Sequence, residues 1–106
     1  MATGGYHYPG FVYMAECGIY QKIGASIEPK KRVYKIRYYG PCIPNRFRTP
    51  DWDVKNTQLV HAIAVDDMNI AETLLHNHFA EQRLDYSEWF KLSSADIEWF
   101  KSLDSI

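Results

Sequence analysis

Residues 10–24, GFVYMAECGIYQKIG, decide how this chain folds. The stretch is rich in aromatic and aliphatic residues that favour strands, and it is interrupted at Gly18, which suits a tight turn. We therefore predict a β-hairpin whose strands lie at 10–16 and 19–24.

One further strand and three helices are predicted outside the hairpin. The apolar run at 58–65 is typical of a central strand, and 88–90 is a short extended piece. Helices are predicted at 28–38, at 68–80 behind an aspartate cap, and after Ser93, which opens a capping box. The predicted fold class is α/β, with a small three-stranded, mainly antiparallel sheet flanked by helices.

The 106 residues of the chain suffice for one small domain. We predict a flexible N-terminal arm at 1–9 and a single domain at 10–106, with a long proline-punctuated loop at 40–56. No apolar run approaches the ~20 residues that span a bilayer, and the N-terminus lacks a signal segment. A cytoplasmic protein without a membrane partner is therefore expected. Cys17 and Cys42 form no CxxC pair, so reduced thiols are expected rather than a zinc site.

Charge is unevenly distributed along the chain, although the net charge is only −1. Basic residues occur without any acidic one between 29 and 50, whereas acidic residues predominate from 66 to 104. This asymmetry permits a stripe that binds a polyanion, and a solvated helix face beside a basic loop is the alternative. The candidates for contacts with nucleic-acid phosphates are Lys31, Lys35, Arg46 and Arg48.

Helical periodicity assigns faces to the first two predicted helices. On the first, Arg32 is expected to look inward from the rim of a narrow apolar arc. On the second, Glu72 lies at the edge of the core-facing arc, and His76 follows one turn further along. The two arcs consist of Pro29, Val33 and Ile36 in the first helix, and of Ile70, Ala71, Leu74, Leu75 and His78 in the second.

Hydrolysis of a phosphodiester requires a deprotonated water, cations that meet the charge of the transition state, and a stabilised leaving oxygen. A divalent cation held by a carboxylate, together with an arginine and a poised base, supplies all three. The sequence offers Glu72 and Arg32 at helix rims. It also offers Tyr13 and Lys22 on the hairpin.

The order and spacing of these residues resemble the GIY-YIG nuclease superfamily. Phe11-Val12-Tyr13 and Lys22-Ile23-Gly24 look like the two strand motifs that name the family. Arg32 follows where the family keeps its arginine, and Glu72 follows where it keeps its metal-binding glutamate. Segment 71–92, AETLLHNHFAEQRLDYSEWFKL, resembles a branch represented in phages and fungi.

The resemblance implies a role for each matching residue. Tyr13 would act as general base or orient the attacking water, and Lys22 would lower the pKa of this phenol from its usual ~10. Arg32 would contact the scissile phosphate. Glu72 would hold Mg²⁺ or Mn²⁺, and His76 would share a proton or bind phosphate.

Two features depart from the family pattern. The first motif is Phe-Val-Tyr rather than Gly-Ile-Tyr. The literal Gly18-Ile19-Tyr20 lies too close to Lys22 to be that motif, because one residue cannot connect two strands. The asparagine found late in many members has no counterpart here, and Glu88-Trp89-Phe90 occupies that region.

The predicted function is metal-dependent endonucleolytic cleavage of nucleic acid, with DNA favoured over RNA as the partner. Two alternatives stay open: a non-cleaving nucleic-acid-binding module of the same fold, and a protein-interaction or dimerisation domain. The oligomeric state is also open. Some aromatic side chains could either stack on bases or pack in the core, namely Tyr34, Tyr38, Tyr39 and Trp52.

Overall fold

The computed structural model describes residues 8–39 and 43–105. The predicted N-terminal arm therefore lies outside the described residues, except for Tyr8 and Pro9, and so does the start of the predicted loop at 40–42. No helix in the described parts of the chain is long and apolar enough to cross a bilayer. The strands and helices are β1 (Gly10–Cys17), β2 (Tyr20–Ser26), α1 (Pro29–Tyr39), β3 (Gln58–Val65), α2 (Met68–His78), β4 (Trp89–Phe90) and α3 (Ser94–Lys101). Short 3₁₀ turns lie at Asn45–Phe47, Val54–Asn56 and Ala80–Gln82.

β1 and β2 form the predicted hairpin, and Tyr13 lies directly opposite Gly24 in their antiparallel register. Gly18 occupies the turn with a φ of 61°, a left-handed conformation in which a side chain would be strained. This placement agrees with assigning Gly18 to the turn rather than to the first strand motif.

The sheet has four antiparallel strands in the order β3-β1-β2-β4. The predicted α/β class is confirmed, and the three predicted strands are joined by a fourth. This fourth strand, β4, is the segment predicted as a short extended piece. Along β2 it pairs with Gln21 and Lys22, and Phe90 also forms an isolated bridge with Arg83. From Ile23 onward, β2 has no strand on its outer side among the described residues.

Helices cover both faces of the sheet. On one face Val12 packs with Ala71 and Leu75 of α2 in the main core, to which α3 also contributes. On the other face Tyr13 packs against Val33 of α1 in a smaller cluster. Burial of these apolar side chains is the main force that holds the three layers together.

α1 is shifted by a single position from the prediction, and its buried residues are the predicted apolar arc. Arg32, however, is exposed, so the expectation that it looks inward is wrong. The arc covers only about 60° of the helix circumference, and Arg32 falls outside it. The predicted caps are present: Asp67 caps α2, and Ser93 forms a capping box with Asp96 at the start of α3.

The buried face of α2 differs from the prediction. Ile70, Leu74 and His78 were expected in the core but are exposed, and His76 is buried in their place. The helix is therefore rotated by about 100°, one residue position, from the predicted orientation. This rotation turns Glu72 and His76 toward the outer edge of β2, whose backbone groups need hydrogen-bond partners.

The phenol of Tyr13 is fully buried and lies against Gly24. A Cβ atom at Gly24 would lie 2.6 Å from the Tyr13 hydroxyl oxygen and 2.7 Å from its Cζ. Gly24 therefore leaves the space that the phenol occupies beside Lys22.

Gly24→Ala is expected to lower the free energy of unfolding by about 1–3 kcal/mol, because the buried phenol must move. Urea unfolding followed by circular dichroism measures the change. Gly10→Ala is the matched control, since its added Cβ would meet mainly the flexible end of Met68, which can move aside. Equal destabilisation by the two substitutions would contradict this packing of Tyr13.

Candidate active site

Three segments of the chain meet at the outer edge of β2. An edge strand exposes backbone groups that need partners. Side chains of α2 lie next to two of them: His76 Nε2 donates to the backbone oxygen of Ile23 at 2.8 Å, and the Ala25 N–H is close enough to the Glu72 carboxylate to oppose the rise in its pKa. The Ile23 N–H donates to the backbone oxygen of Glu88 at 3.1 Å. Both α2 and the segment before β4 are thereby held against the same stretch of β2.

Glu72, His76 and Glu88 converge at this edge. One potential ligand atom from each residue lies within 4.8 Å of the other two. Because a carbonyl oxygen only accepts, His76 Nε2 carries the proton and Nδ1 keeps a lone pair. Burial lowers the pKa of His76, which keeps the ring neutral. Metal-binding histidines commonly donate their second N–H in this way, so the three residues could hold a metal ion.

Lys22 connects this cluster to the face of the sheet that carries Tyr13. The Lys22 side chain is only 8% exposed, and its Nζ lies 3.1 Å from Oε2 of Glu88. A buried ammonium requires a charged or polar partner, and Glu88 provides one. The same Nζ lies 5.8 Å from the centre of the Tyr13 ring. Lys22 therefore stands between the phenol and the carboxylates.

The surroundings of Tyr13 keep its phenol protonated at neutral pH. Burial raises the pKa of Tyr13, and this effect outweighs the lowering caused by Lys22 and Arg32. The expectation that Lys22 brings this pKa below its ordinary value is therefore wrong, because desolvation of a phenolate costs more than the ammonium offsets. Tyr13 is available as a neutral hydroxyl that can donate and accept hydrogen bonds.

Arg32 approaches the same site from α1. Although the residue is exposed, its charge is close enough to lower the pKa of Tyr13. Lys22, Glu72 and His76 meet with Glu88 at the outer edge of β2, and Tyr13 lies beside Lys22. Arg32 is exposed on α1, and its effect at this site is electrostatic, on Tyr13.

Glu88 is the site residue to which sequence reasoning assigned no role. Its carboxylate accepts a hydrogen bond from Lys22, and its negative charge raises the pKa of Glu72. Two signals could have identified it. An acidic residue directly precedes the apolar pair that forms β4, and a strand lysine that faces the core must find a counter-ion.

Two of the predicted phosphate contacts, Lys31 and Lys35, are exposed on α1, the helix that carries Arg32. Lys31 Nζ lies 3.8 Å from a carboxylate oxygen of Glu28, and both of these side chains are largely exposed. Such a pair contributes little to stability and leaves the ammonium accessible to a polyanion.

The other two predicted phosphate contacts lie on the loop after α1. Arg46 is ion-paired with Asp85, with Nε 3.1 Å from Oδ2, and its guanidinium lies 4.3 Å from the centre of the Phe47 ring. Arg48 is exposed just after the same 3₁₀ turn. Arg46 therefore ties this loop to the segment that precedes β4 and Glu88.

Trp52 and Cys17 have structural contacts. The Trp52 indole N–H donates to the backbone oxygen of Cys17 at 2.9 Å, and its ring packs edge-on against Trp89. Trp52 is therefore engaged in packing rather than presented for base stacking. Cys17 is a buried free thiol, whereas Cys42 lies outside the described residues.

Glu72 is held in an unfavourable environment for its charged form. Burial and the neighbouring Glu88 carboxylate raise the pKa of Glu72 from 4.5 to about 7. Two ionised carboxylates at this separation repel each other. Binding of a proton or a metal cation by this pair of carboxylates is therefore favourable.

Glu72→Gln is expected to stabilise the protein near pH 8. The folded pKa lies above the unfolded one, so the stabilisation from protonated Glu72 is present below about pH 4 and is lost as the pH rises through about 7. The Tm of the variant should exceed that of wild type by on the order of a few degrees near pH 8 and match it near pH 4. Glu98→Gln, an exposed glutamate on α3, is the control. A Tm difference that does not change with pH would contradict the raised pKa.

Comparison with protein families gives a match over most of the chain. No curated protein and no solved structure matches this chain. The family model of the T5orf172 domain matches residues 6–103, which includes every site residue described above. This domain is phage-associated and is related to nuclease-like folds. The chain therefore belongs to the T5orf172 domain family.

Proposed function

We propose that this protein is a metal-dependent endonuclease of the GIY-YIG type that hydrolyses phosphodiester bonds in nucleic acid, with DNA preferred over RNA. Membership of a family related to nuclease-like folds supports a role on nucleic acid. The observation that carries the proposal is the convergence of Lys22, Glu72, His76 and Glu88 at the outer edge of β2, with Tyr13 beside Lys22. These side chains come from four separate segments of the chain.

Glu72, Glu88 and His76 fit a divalent cation by the chemistry of their donor atoms. Carboxylate oxygens suit Mg²⁺ and Mn²⁺, and Mn²⁺ also accepts an imidazole nitrogen. The two carboxylates lie close enough to concentrate negative charge that a cation would neutralise. When bound, the cation would supply positive charge to the phosphate and lower the pKa of a water molecule.

The remaining residues would bind and orient the reacting groups. Arg32, exposed on α1, would bind the scissile phosphate and stabilise the negative charge of the transition state. Tyr13, neutral and close to the Lys22 ammonium, would orient the attacking water through its hydroxyl rather than act as a resting phenolate. Lys22 would hold Glu88 in place and add positive charge between the two carboxylates and the phenol.

Glu72→Ala is expected to reduce Mg²⁺- or Mn²⁺-dependent cleavage by at least about 100-fold, because it removes a metal ligand. The assay incubates the purified protein with single- and double-stranded DNA and RNA in Mg²⁺, Mn²⁺ or EDTA and resolves the products on denaturing gels. Glu98→Ala, an exposed glutamate on α3, is the matched control and should cut as wild type does. A Glu72→Ala variant as active as wild type would contradict the proposal.

Two other outcomes of this assay point to different functions. Salt-dependent binding of nucleic acid without cleavage in any cation would identify a non-cleaving binding module. No binding to DNA or RNA at low salt would leave a protein-interaction domain. Either result would overturn the endonuclease assignment.

Glu88→Gln is expected to weaken Mn²⁺ binding about tenfold or more, because one of three ligands loses its charge. Isothermal titration calorimetry of the protein with Mn²⁺, without nucleic acid, measures the affinity. Glu81→Gln, an exposed glutamate in the 3₁₀ turn that precedes β4, is the matched control. An unchanged Mn²⁺ affinity in Glu88→Gln would show that Glu88 is not a metal ligand and only forms the ion pair with Lys22.

A further inference from the structure

Tyr34 and Tyr38 form an aromatic pair on the outer side of α1. They lie one helical turn apart and are 56% and 68% exposed, with ring centres 4.7 Å apart. The two ring planes are inclined at 44° to each other. The helix buries its opposite side, so neither ring serves the core. Their faces are available to a ligand.

Positive charge surrounds this aromatic pair. Lys31 and Lys35 are exposed on the same side of the helix, and α1 carries no acidic residue. Arg37 and Lys55 line a cleft of about 290 Å³ together with the two tyrosines. Arg37 Nε donates to the backbone oxygen of Thr57 at 2.6 Å, which anchors α1 to the turn that carries Lys55. The surface is therefore complementary to a polyanion.

We propose that this aromatic and basic face of α1 binds single-stranded nucleic acid, with bases stacked on Tyr34 and Tyr38 and phosphates bound by the surrounding lysines. Positive charge alone would bind the phosphate backbone of any duplex. A duplex keeps the faces of its bases stacked inside, so exposed rings reach them only where a strand is unpaired. The inference rests on the proposed nuclease function and names its substrate, a nucleic acid with an unpaired segment beside the cleavage point.

The face adjoins the candidate active site. Arg32 belongs to the same helix, and Tyr38 lies ~9 Å further along the helix axis and ~120° around it, at 1.5 Å and ~100° per residue. A strand that stacks on Tyr38 and passes around the helix reaches Arg32 within a few nucleotides. Cleavage is therefore expected a few nucleotides away from the stacked base.

The test compares binding of a labelled oligo(dT) strand and of a blunt duplex of equal length by fluorescence anisotropy in EDTA. The Tyr34→Ala, Tyr38→Ala double variant is expected to bind the single strand about tenfold or more weakly than wild type and the duplex within about twofold. The Tyr34→Phe, Tyr38→Phe double variant keeps both ring faces and should bind as wild type does. Tyr86→Ala, which removes a tyrosine that is 96% exposed before β4, is the matched control. Because both α1 tyrosines are exposed, all variants should keep the wild-type Tm.

Because EDTA removes divalent cations, the affinity for nucleic acid is measured without metal-dependent cleavage. Ring-dependent binding by a protein that cuts nothing in Mg²⁺ or Mn²⁺ would support the binding face and overturn only the nuclease function. The proposed binding face would be overturned if the double alanine variant bound oligo(dT) as tightly as wild type does. It would also be overturned if the variant lost the same factor of affinity for the single strand and for the duplex. Light scattering tests whether the two rings instead join two copies of the chain. The proposed binding face would be overturned if the wild type is a dimer, the double alanine variant is a monomer, and both bind oligo(dT) equally well.

Discussion

The unpaired outer edge of β2 organises the rest of the site. The backbone groups of Ile23 and Ala25 point away from β1, and buried groups of this kind must find partners. The Ile23 N–H donates to the backbone oxygen of Glu88, directly before β4. The fourth strand does not extend to the Ile23 oxygen or to Ala25, and α2 places His76 and Glu72 there instead. If β4 continued along β2, these groups would pair within the sheet, and α2 could present an apolar face there. The short fourth strand therefore explains why two polar side chains of α2 turn inward.

The same edge concentrates charge in a space that is partly closed to water. Lys22 is buried and depends on Glu88, the pKa of Glu72 is raised to about 7, and Tyr13 keeps its proton. None of these features favours the stability of the folded chain by itself. Perturbed groups clustered in this way are typical of sites that bind or react, because a ligand of opposite charge relieves the unfavourable interactions.

Most of the fold could be predicted because it depends on local chemistry. Side-chain alternation and the glycine turn define the hairpin, and capping side chains define the starts of α2 and α3. The rotation of α2 could not be predicted in this way. Ile70 and Leu74 are as apolar as the residues that the core accepts, so periodicity alone does not distinguish the two faces. The polar edge of β2 distinguishes them, and that edge belongs to another part of the chain.

The sequence by itself determined which side chains are available to the site and in which order they occur: a tyrosine and a lysine on paired strands, an arginine on the next helix and a glutamate on a later one. Only the tertiary structure decided that Glu88 joins them, that Arg32 stays exposed and that Tyr13 remains protonated. These properties depend on how much water is excluded around each group and on which charges are brought near it. Both are set by segments that are distant in sequence and meet only when the sheet and its helices have packed.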